Sequence, residues 1–540
     1  MTTMTGGHAL VAALRALDVE VAFGLPGVHN LAAWKGFPGS GVRLVGVRHE
    51  QTAGYAADGY ARATGRLGVA LTTTGPGAAN IVTATGEAWS CHTPLLVIAT
   101  DIATTVRRPG VFRGVLHETT DQASFFRPVT KAQLRVRSAQ ELFATVVEAG
   151  RLALQHPRRP VYLEIPTDLL ATVVEAPVVE APVVEVPGVV ATVARDSAEV
   201  DVAKALSMLA SCVRPLIWVG GGATASDAGS LVTALAEQLG APVLASYGGR
   251  GLVPPDHPML VPLPPHSPAA GQLWDDADLV LVLGSDLDAM NTQGFRQPRP
   301  PVVIAVDLAK QLANVEPDLH LRFDVSPVAQ ALLAGLPAAQ RTPWWVRPAG
   351  RERAISPETD FLDAFESGLP DDVMVVADMC IAGYWYGGFG RVRQPRGLAY
   401  PVGWGTLGFG FPAGLGAALS GRPTVALVGD GGFLFACGDL ATAAQEQLPL
   451  TTVLVDDGGY GMLAYDFVKD GEQPLGCDLE PPDFVLLAQA FRIEAREVTV
   501  PDLGEAVAKA ITSGRPNLLV VKAAFTPPPN TSPRWYRALG

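Results

Sequence analysis

A chain of 540 residues, 48 % apolar and 17 % charged, is too long for one hydrophobic core and too apolar to be disordered. A net charge of −13 with no Lys/Arg-rich block excludes a nucleic-acid surface, and no apolar run is long enough to cross a bilayer. Neither nucleic acid nor membrane is therefore expected as a partner. The first ten residues lack a basic end followed by an apolar stretch, so no signal peptide is expected. Cys91, Cys212, Cys380, Cys437 and Cys477 form no Cys-x-x-Cys pair, which fits reduced thiols in a cytoplasmic protein.

Strand-like runs at 42–47, 69–73 and 95–99 alternate with helix-like stretches at 51–64 and 78–89, the rhythm of a parallel sheet. The first chemistry-bearing segment, Phe23-Gly24-Leu25-Pro26-Gly27-Val28-His29-Asn30, puts His29 after a glycine–proline turn. Arg48-His49-Glu50 closes a strand and opens a helix whose small residues at 53, 54, 56, 57 and 59 permit very close packing against another element, a second subunit included. Thr74-Gly75-Pro76-Gly77-Ala78-Ala79-Asn80 is a tight turn into a helix, either structural or with free N–H groups facing a ligand. In the polar cluster Leu116-His117-Glu118-Thr119-Thr120-Asp121-Gln122, His117 is either a proton shuttle or a solvated loop histidine.

Prolines at 177, 182 and 187 recur in a Glu-Ala-Pro-Val-Val repeat and predict a semi-rigid linker over 173–189. The next segment has strand-like runs at 215–219, 279–283 and 302–306. Gly220-Gly221-Gly222 follows the first of these, but it lacks the full G-x-G-x-x-G spacing of a dinucleotide site. After a Pro/Arg-rich break at 338–357, strand-like runs return at 373–377, 424–428, 451–455 and 518–521. The expected fold is α/β, with three doubly wound parallel-sheet domains at 1–172, 190–338 and 358–525 and an irregular tail over 526–540.

Two motifs in the last domain carry the strongest signal. Gly429-Asp430-Gly431-Gly432 and Asp456-Asp457-Gly458-Gly459-Tyr460-Gly461 each follow a strand-like run. In a parallel sheet both would reach the carboxyl edge, where ligands of α/β proteins collect. Paired hard oxygen donors beside bare glycine backbone suit Mg²⁺ bridging to a diphosphate.

Taken in order, these segments resemble the thiamine-diphosphate-dependent enzymes that include acetolactate synthases, 2-oxo-acid decarboxylases and benzaldehyde lyase. The resemblance runs from Phe23-Gly-Leu-Pro-Gly through Gly59-Tyr-Ala-Arg-Ala-Thr-Gly to Gly405-Thr-Leu-Gly and the two aspartate motifs. Leu116-His-Glu-Thr-Thr-Asp-Gln and Asp456-Asp-Gly-Gly-Tyr-Gly look most like the branch holding 5-guanidino-2-oxopentanoate decarboxylase. It implies a pyrimidine-binding, a central and a diphosphate-binding domain, with thiamine diphosphate lying between subunits of a homodimer or homotetramer.

The same resemblance implies roles. Asp430, Asp457 and the Gly459 carbonyl would hold Mg²⁺, while Gly429, Gly431, Gly432, Tyr460 and Asn80 would border the cofactor. Glu50 would bond the pyrimidine ring and drive formation of a C2 ylid that attacks a carbonyl. Leu407 would be the apolar wedge bending the cofactor, and the Gly405 carbonyl would accept its exocyclic amine. His29 and His117 would handle protons above the thiazolium. An enamine would then release an aldehyde or form a new C–C bond.

Three departures stand out. Asp457 replaces the usual Asn, and Ile381-Ala382 replaces a Gln-His pair. Gly284-Ser-Asp-Leu-Asp-Ala-Met-Asn replaces the arginine segment of flavin-binding synthases, so FAD is not expected. The helix at 462–467 should line the pocket, and its apolar first turn favours an apolar or aromatic acyl group. Two alternatives to a 2-oxo-acid decarboxylase or carboligase stay open: a benzaldehyde-lyase-like acyloin lyase, and a regulatory homologue that binds cofactor without catalysis.

Overall fold

The computed structural model describes residues 3–176, 195–348 and 355–529, the backbone alone over 195–200. Three sheets, every strand parallel, form the centres of three α/β layers. In the first sheet the strands lie in the order Arg43–Gly46, Val21–Gly24, Gly68–Thr72, Leu95–Asp101, Val161–Pro166, Ala132–Arg135. The third runs Leu398–Ala399, Met374–Ala377, Thr424–Gly429, Leu450–Asp456, Asn517–Lys522, Glu494–Glu497. Counted along the chain, both sheets have the order 2-1-3-4-6-5, so the two ends of the protein repeat one topology. The central sheet has five strands, Val243–Ala245, Pro215–Val219, Leu279–Leu283, Val302–Val306 and Leu319–Leu321.

Central strands are apolar on both faces because helices cover both, and Leu95–Asp101 and Thr424–Gly429 are buried throughout. The strand-like runs read from sequence all become strands, differing from expectation by a residue or two at their ends. The stretch read as one helix over 78–89 is two, Pro76–Asn80 and Val82–Ser90, with Ile81 between them.

The helix Glu50–Thr64 packs against Gly410–Ala417 of the same chain. Two glycines make that approach possible. A Cβ on Gly59 would stand 2.0 Å from the Ala413 carbonyl oxygen, and one on Gly416 only 1.7 Å from that of Ala56. Val173–Glu175, the start of the expected linker, pairs antiparallel with Thr3–Thr5; the proline repeat from 177 onward lies outside the described residues. Gly220 and Gly222 serve packing: a Cβ on either would strike Gly284, at 2.2 Å from its oxygen and 2.7 Å from its Cα. Thr526, at the start of the expected tail, is tied down through its N–H and hydroxyl to Glu358.

Candidate active site

In the third sheet the first and third strands in chain order, Met374–Ala377 and Thr424–Gly429, are neighbours, and the chain leaves them toward opposite sides. That switch point opens a crevice at the carboxyl edge. A cavity of about 350 Å³ lies there, lined among others by Met379, Trp404, Gly405, Leu407, Asp430, Asp457 and Tyr460.

Asp430 and Asp457 come from adjacent strands paired in register, Gly429 opposite Val455. Asp430 is 1 % exposed, and its Oδ2 has no hydrogen-bond partner. Burial, and then the facing Asp457 carboxylate, push Asp430 up to about 7. Burial likewise raises Asp457 above the usual carboxylate range. The Gly459 carbonyl oxygen lies 3.4 Å from where a Cβ on Gly431 would stand, so it shares this corner. Gly461 is bare because a Cβ there would sit 2.3 Å from Asp457 Oδ2. The loop is fixed from behind, with Tyr460 N–H donating to the Cys477 carbonyl at 2.8 Å and Leu479 N–H to that of Gly458 at 3.0 Å. A buried carboxylate oxygen with no partner, facing a second carboxylate and a carbonyl, fits a hard cation. Among the described residues no three His, Cys, Asp or Glu side chains cluster to hold a metal, so a cation here would also draw on main-chain and ligand oxygens.

The glycines around this corner are spent on protein contacts as well. The Tyr460 ring occupies the space of a Cβ on Gly431, at 2.7 Å, and Asp378 Oδ2 borders that of Gly432, at 3.0 Å. Asp378 was not expected from sequence, although an acid directly after a buried strand was a signal. Its carboxylate accepts N–H bonds from Met379, Gly408 and Gly410 at 2.7, 3.2 and 3.1 Å, fixing the loop behind Gly405 and Leu407. Burial pushes it up to about 6.

The remaining expected residues gather at the carboxyl edge of the first sheet. Glu50, 6 % exposed, begins its helix and accepts from Asn80 Nδ2 at 3.0 Å. Gly77 faces it, with 3.2 Å between Glu50 Oε1 and a Cβ placed there. His29 Nδ1 bonds Thr74 Oγ1 at 2.9 Å, and its ring stands edge-on to His117 at 5.1 Å. Gly75, at φ +66, lets the His117 carbonyl come within 2.5 Å of where its Cβ would be. Gln122 locks this turn from below, accepting the Gly75 N–H at 2.6 Å and donating to the Thr100 carbonyl at 2.9 Å.

The structure thus forms two groups. Glu50, Asn80, His29 and His117 belong to the first domain. Gly405, Leu407, Gly429, Asp430, Gly431, Gly432, Asp457, Gly459 and Tyr460 surround the cavity, whose lining among the described residues includes Met290 of the central layer and no first-domain residue. Ile381 and Ala382 also line it and bring no side-chain donor. The segment 284–291 closes on neighbours: Ser285 accepts from Trp218 Nε1 at 3.1 Å, and Asp286 bonds His92 Nε2 at 2.7 Å.

Models of the thiamine pyrophosphate enzymes match at residues 4–125 (N-terminal TPP binding domain), 202–332 (central domain) and 380–521 (C-terminal TPP binding domain). The chain belongs to the thiamine pyrophosphate enzyme family. It is 36 % identical over 514 residues to the probable 2-ketoarginine decarboxylase of Pseudomonas aeruginosa, covering 92 % of this chain and 89 % of that one. The probable acetolactate synthase large subunit of Methanocaldococcus jannaschii is 28 % identical over 555 residues, covering 96 % and 91 %. The acetolactate synthase of Mycobacterium bovis is 30 % identical over 540 residues, covering 93 % and 86 %. The fold of the Rhodococcus jostii thiamine diphosphate-dependent 4-hydroxybenzoylformate decarboxylase superposes with TM-score 0.81 at 24 % identity, over 97 % of this chain and all of that one. Glu50 falls within the N-terminal match and both aspartate motifs within the C-terminal one, and among the described residues no helix is long and apolar enough to cross a membrane.

Proposed function

We propose that this thiamine pyrophosphate enzyme is a Mg²⁺-dependent 2-oxo-acid decarboxylase or carboligase acting on substrates with an apolar or aromatic side chain. The observation that carries it is the cavity wall. Met290, Met379, Val402, Trp404, Met462, Leu463 and Phe525 line it, and among the described residues its only charged side chains are Asp430 and Asp457. A guanidinium substrate would need a further acid, because burying an unpaired charge is costly.

Residues 1–172 would bind the pyrimidine end of the cofactor and 358–525 the diphosphate. Asp430, Asp457 and the Gly459 carbonyl would hold the cation, with Gly429, Gly431, Gly432 and Tyr460 beside the phosphates. Leu407 and the Gly405 carbonyl would set the shape of the cofactor. When bound, thiamine diphosphate supplies a carbanion nucleophile and then an electron sink for the charge left by departing CO₂. Glu50, kept in place by Asn80, holds a proton at the pyrimidine ring, and His29 and His117 move protons at the substrate. Exposed apolar residues flank both groups: Val28 at 62 % and Leu116 at 61 % on the first domain, Trp404 at 48 % and Phe435 at 55 % on the third. Joining the two faces across a homodimer, alone or within a homotetramer, would bring Glu50 of one subunit to the cavity of the next.

The test is CO₂ release with thiamine diphosphate and Mg²⁺ from benzoylformate, branched 2-oxo acids, pyruvate and 5-guanidino-2-oxopentanoate, with Glu50→Gln as control. Benzoylformate or a branched acid should be preferred, with Glu50→Gln inactive. Turnover of the guanidino acid alone would overturn the substrate assignment, and no turnover of any acid would overturn the decarboxylase reading. Products from pyruvate plus benzaldehyde separate an aldehyde-releasing enzyme from a carboligase.

A further inference from the structure

We infer that the Asp430–Asp457 pair takes up a divalent cation before the diphosphate cofactor and without its help, so that metal loading is the first, separate step in assembling the site. This rests on the thiamine diphosphate reading above and concerns what an aspartate at 457 adds to it.

The first observation is the donor set. Asp430 is 1 % exposed and carries a buried Oδ2 with no partner, and it lines the same cavity as Asp457 and Gly459. Both carboxylates follow the ends of paired strands, and Asp457 packs against Gly461, where a Cβ would stand 2.3 Å from its Oδ2, so the donors are placed by the strands and the loop before any ligand arrives. A preformed set of oxygens needs little reorganisation to bind a hard cation, and its affinity rises with the number of charged ligands.

The second observation is what the cavity lacks. Among the described residues its lining contains no Lys, Arg or His. A diphosphate entering without a cation would therefore meet two acidic side chains and no basic one among the described residues. With an amide at 457, the protein would contribute one carboxylate, and the diphosphate oxygens would have to supply most of the attraction for the metal. With Asp457 the protein's own two charges match those of a dication. The cation then turns a repulsive corner into one that accepts phosphate oxygens, which fixes the order of binding.

The experiment titrates the full-length chain, stripped with chelator, with Mn²⁺ alone, and follows free Mn²⁺ by electron paramagnetic resonance. Wild type should take up one Mn²⁺ per chain with no cofactor present, and Asp457→Asn should weaken that uptake by about tenfold or more. Thiamine diphosphate alone should not quench Trp fluorescence, whereas metal followed by cofactor should, because Trp404 lines the cavity. No uptake of Mn²⁺ by wild type without cofactor overturns the inference, and so does equal uptake by Asp457→Asn with unchanged near-ultraviolet circular dichroism. The wild-type titration decides by itself if a variant fails to fold. If metal and cofactor bind wild type only together, the inference fails while the cofactor reading stands. If the cofactor never binds, or binds equally without any cation, the reading of the metal corner itself fails.

Discussion

Asn80 donates from Nδ2 to Glu50 Oε2 across 3.0 Å, which ties the carboxylate at the head of one helix to the end of the short helix Pro76–Asn80. Asn80 is itself exposed, so this bond is a positioning contact and not part of a buried core. A hydrogen bond to a charged group contributes about 2 kcal/mol. Asn80→Ala should therefore lower kcat/KM roughly thirtyfold through a misplaced Glu50, while the urea midpoint stays close to wild type. Steady-state kinetics beside urea unfolding checks this, and unchanged kinetics would remove Asn80 from the site.

A second positioning group lies where the first and third layers meet. Glu87 is fully buried, and its carboxylate accepts from Arg62 Nη2 at 3.3 Å, from Trp404 N–H at 3.2 Å and from Thr406 Oγ1 at 3.4 Å. Arg62 is forked onto Asp58 at 2.9 and 2.7 Å, also donates to the Tyr400 carbonyl, and covers the Phe409 ring. One carboxylate in the first layer thus holds the loop that presents Gly405 and Leu407. Removing one partner from a buried ionic group costs about 3 kcal/mol or more. Glu87→Ala should show that loss in urea unfolding together with weaker cofactor binding, and Glu87→Gln, which keeps one acceptor, should recover part of both. Cofactor affinity equal to wild type in Glu87→Ala would show that the loop holds its shape without it.

The contrast between these two groups explains what could be read from sequence. Strands were legible because apolar runs such as 215–219 and 279–283 are buried on both faces and need no partner to be recognised. That Asp430 and Asp457 meet at one sheet edge was legible because each follows an apolar strand run and is followed by glycine. Glu87 and Arg62 were not, because their meaning arises from contacts up to 338 residues apart that no local spacing encodes; Asp378 left only the weak signal of an acid directly after a buried strand. Gly220-Gly221-Gly222 shows the converse: a ligand-like glycine run whose bareness is used by Gly284 of the neighbouring loop.

The close approach of Glu50–Thr64 to Gly410–Ala417 makes a stability prediction that involves no chemistry. Gly416→Ala places a methyl against the Ala56 carbonyl, and Gly59→Val places a larger group against that of Ala413. Both obstacles are backbone, which cannot rotate away as a side chain can. Each substitution should cost about 3 kcal/mol, with Gly59→Val the worse. Denaturant unfolding of both variants beside Gly421→Ala checks this, since a Cβ on Gly421 would meet nothing within 4 Å. Because Gly421 sits at φ +81, its own change is confined to local strain. Equal stability of all three would mean that the helices part easily.

Burial, with His117 nearby, holds the His29 imidazole below its usual value, while Asp101 pulls weakly the other way. The fold therefore favours neutral His29. Its contribution to stability is complete above the unfolded value of about 6.5 and is lost as pH falls through the lower folded value. Neutral His29 bonded to Thr74 can accept a proton, and protonated His29 cannot. If it moves protons at the substrate, kcat/KM should fall on the acid side at a pH below about 6.5. His29→Ala should slow turnover by about 10²-fold, and His29→Gln should flatten that acid limb. His117→Gln removes the neighbour that helps hold His29 low, so the limb should move to higher pH even though the rate drops. A limb at the same pH in wild type, His29→Gln and His117→Gln would assign the titration to another group and remove both histidines from the proton path.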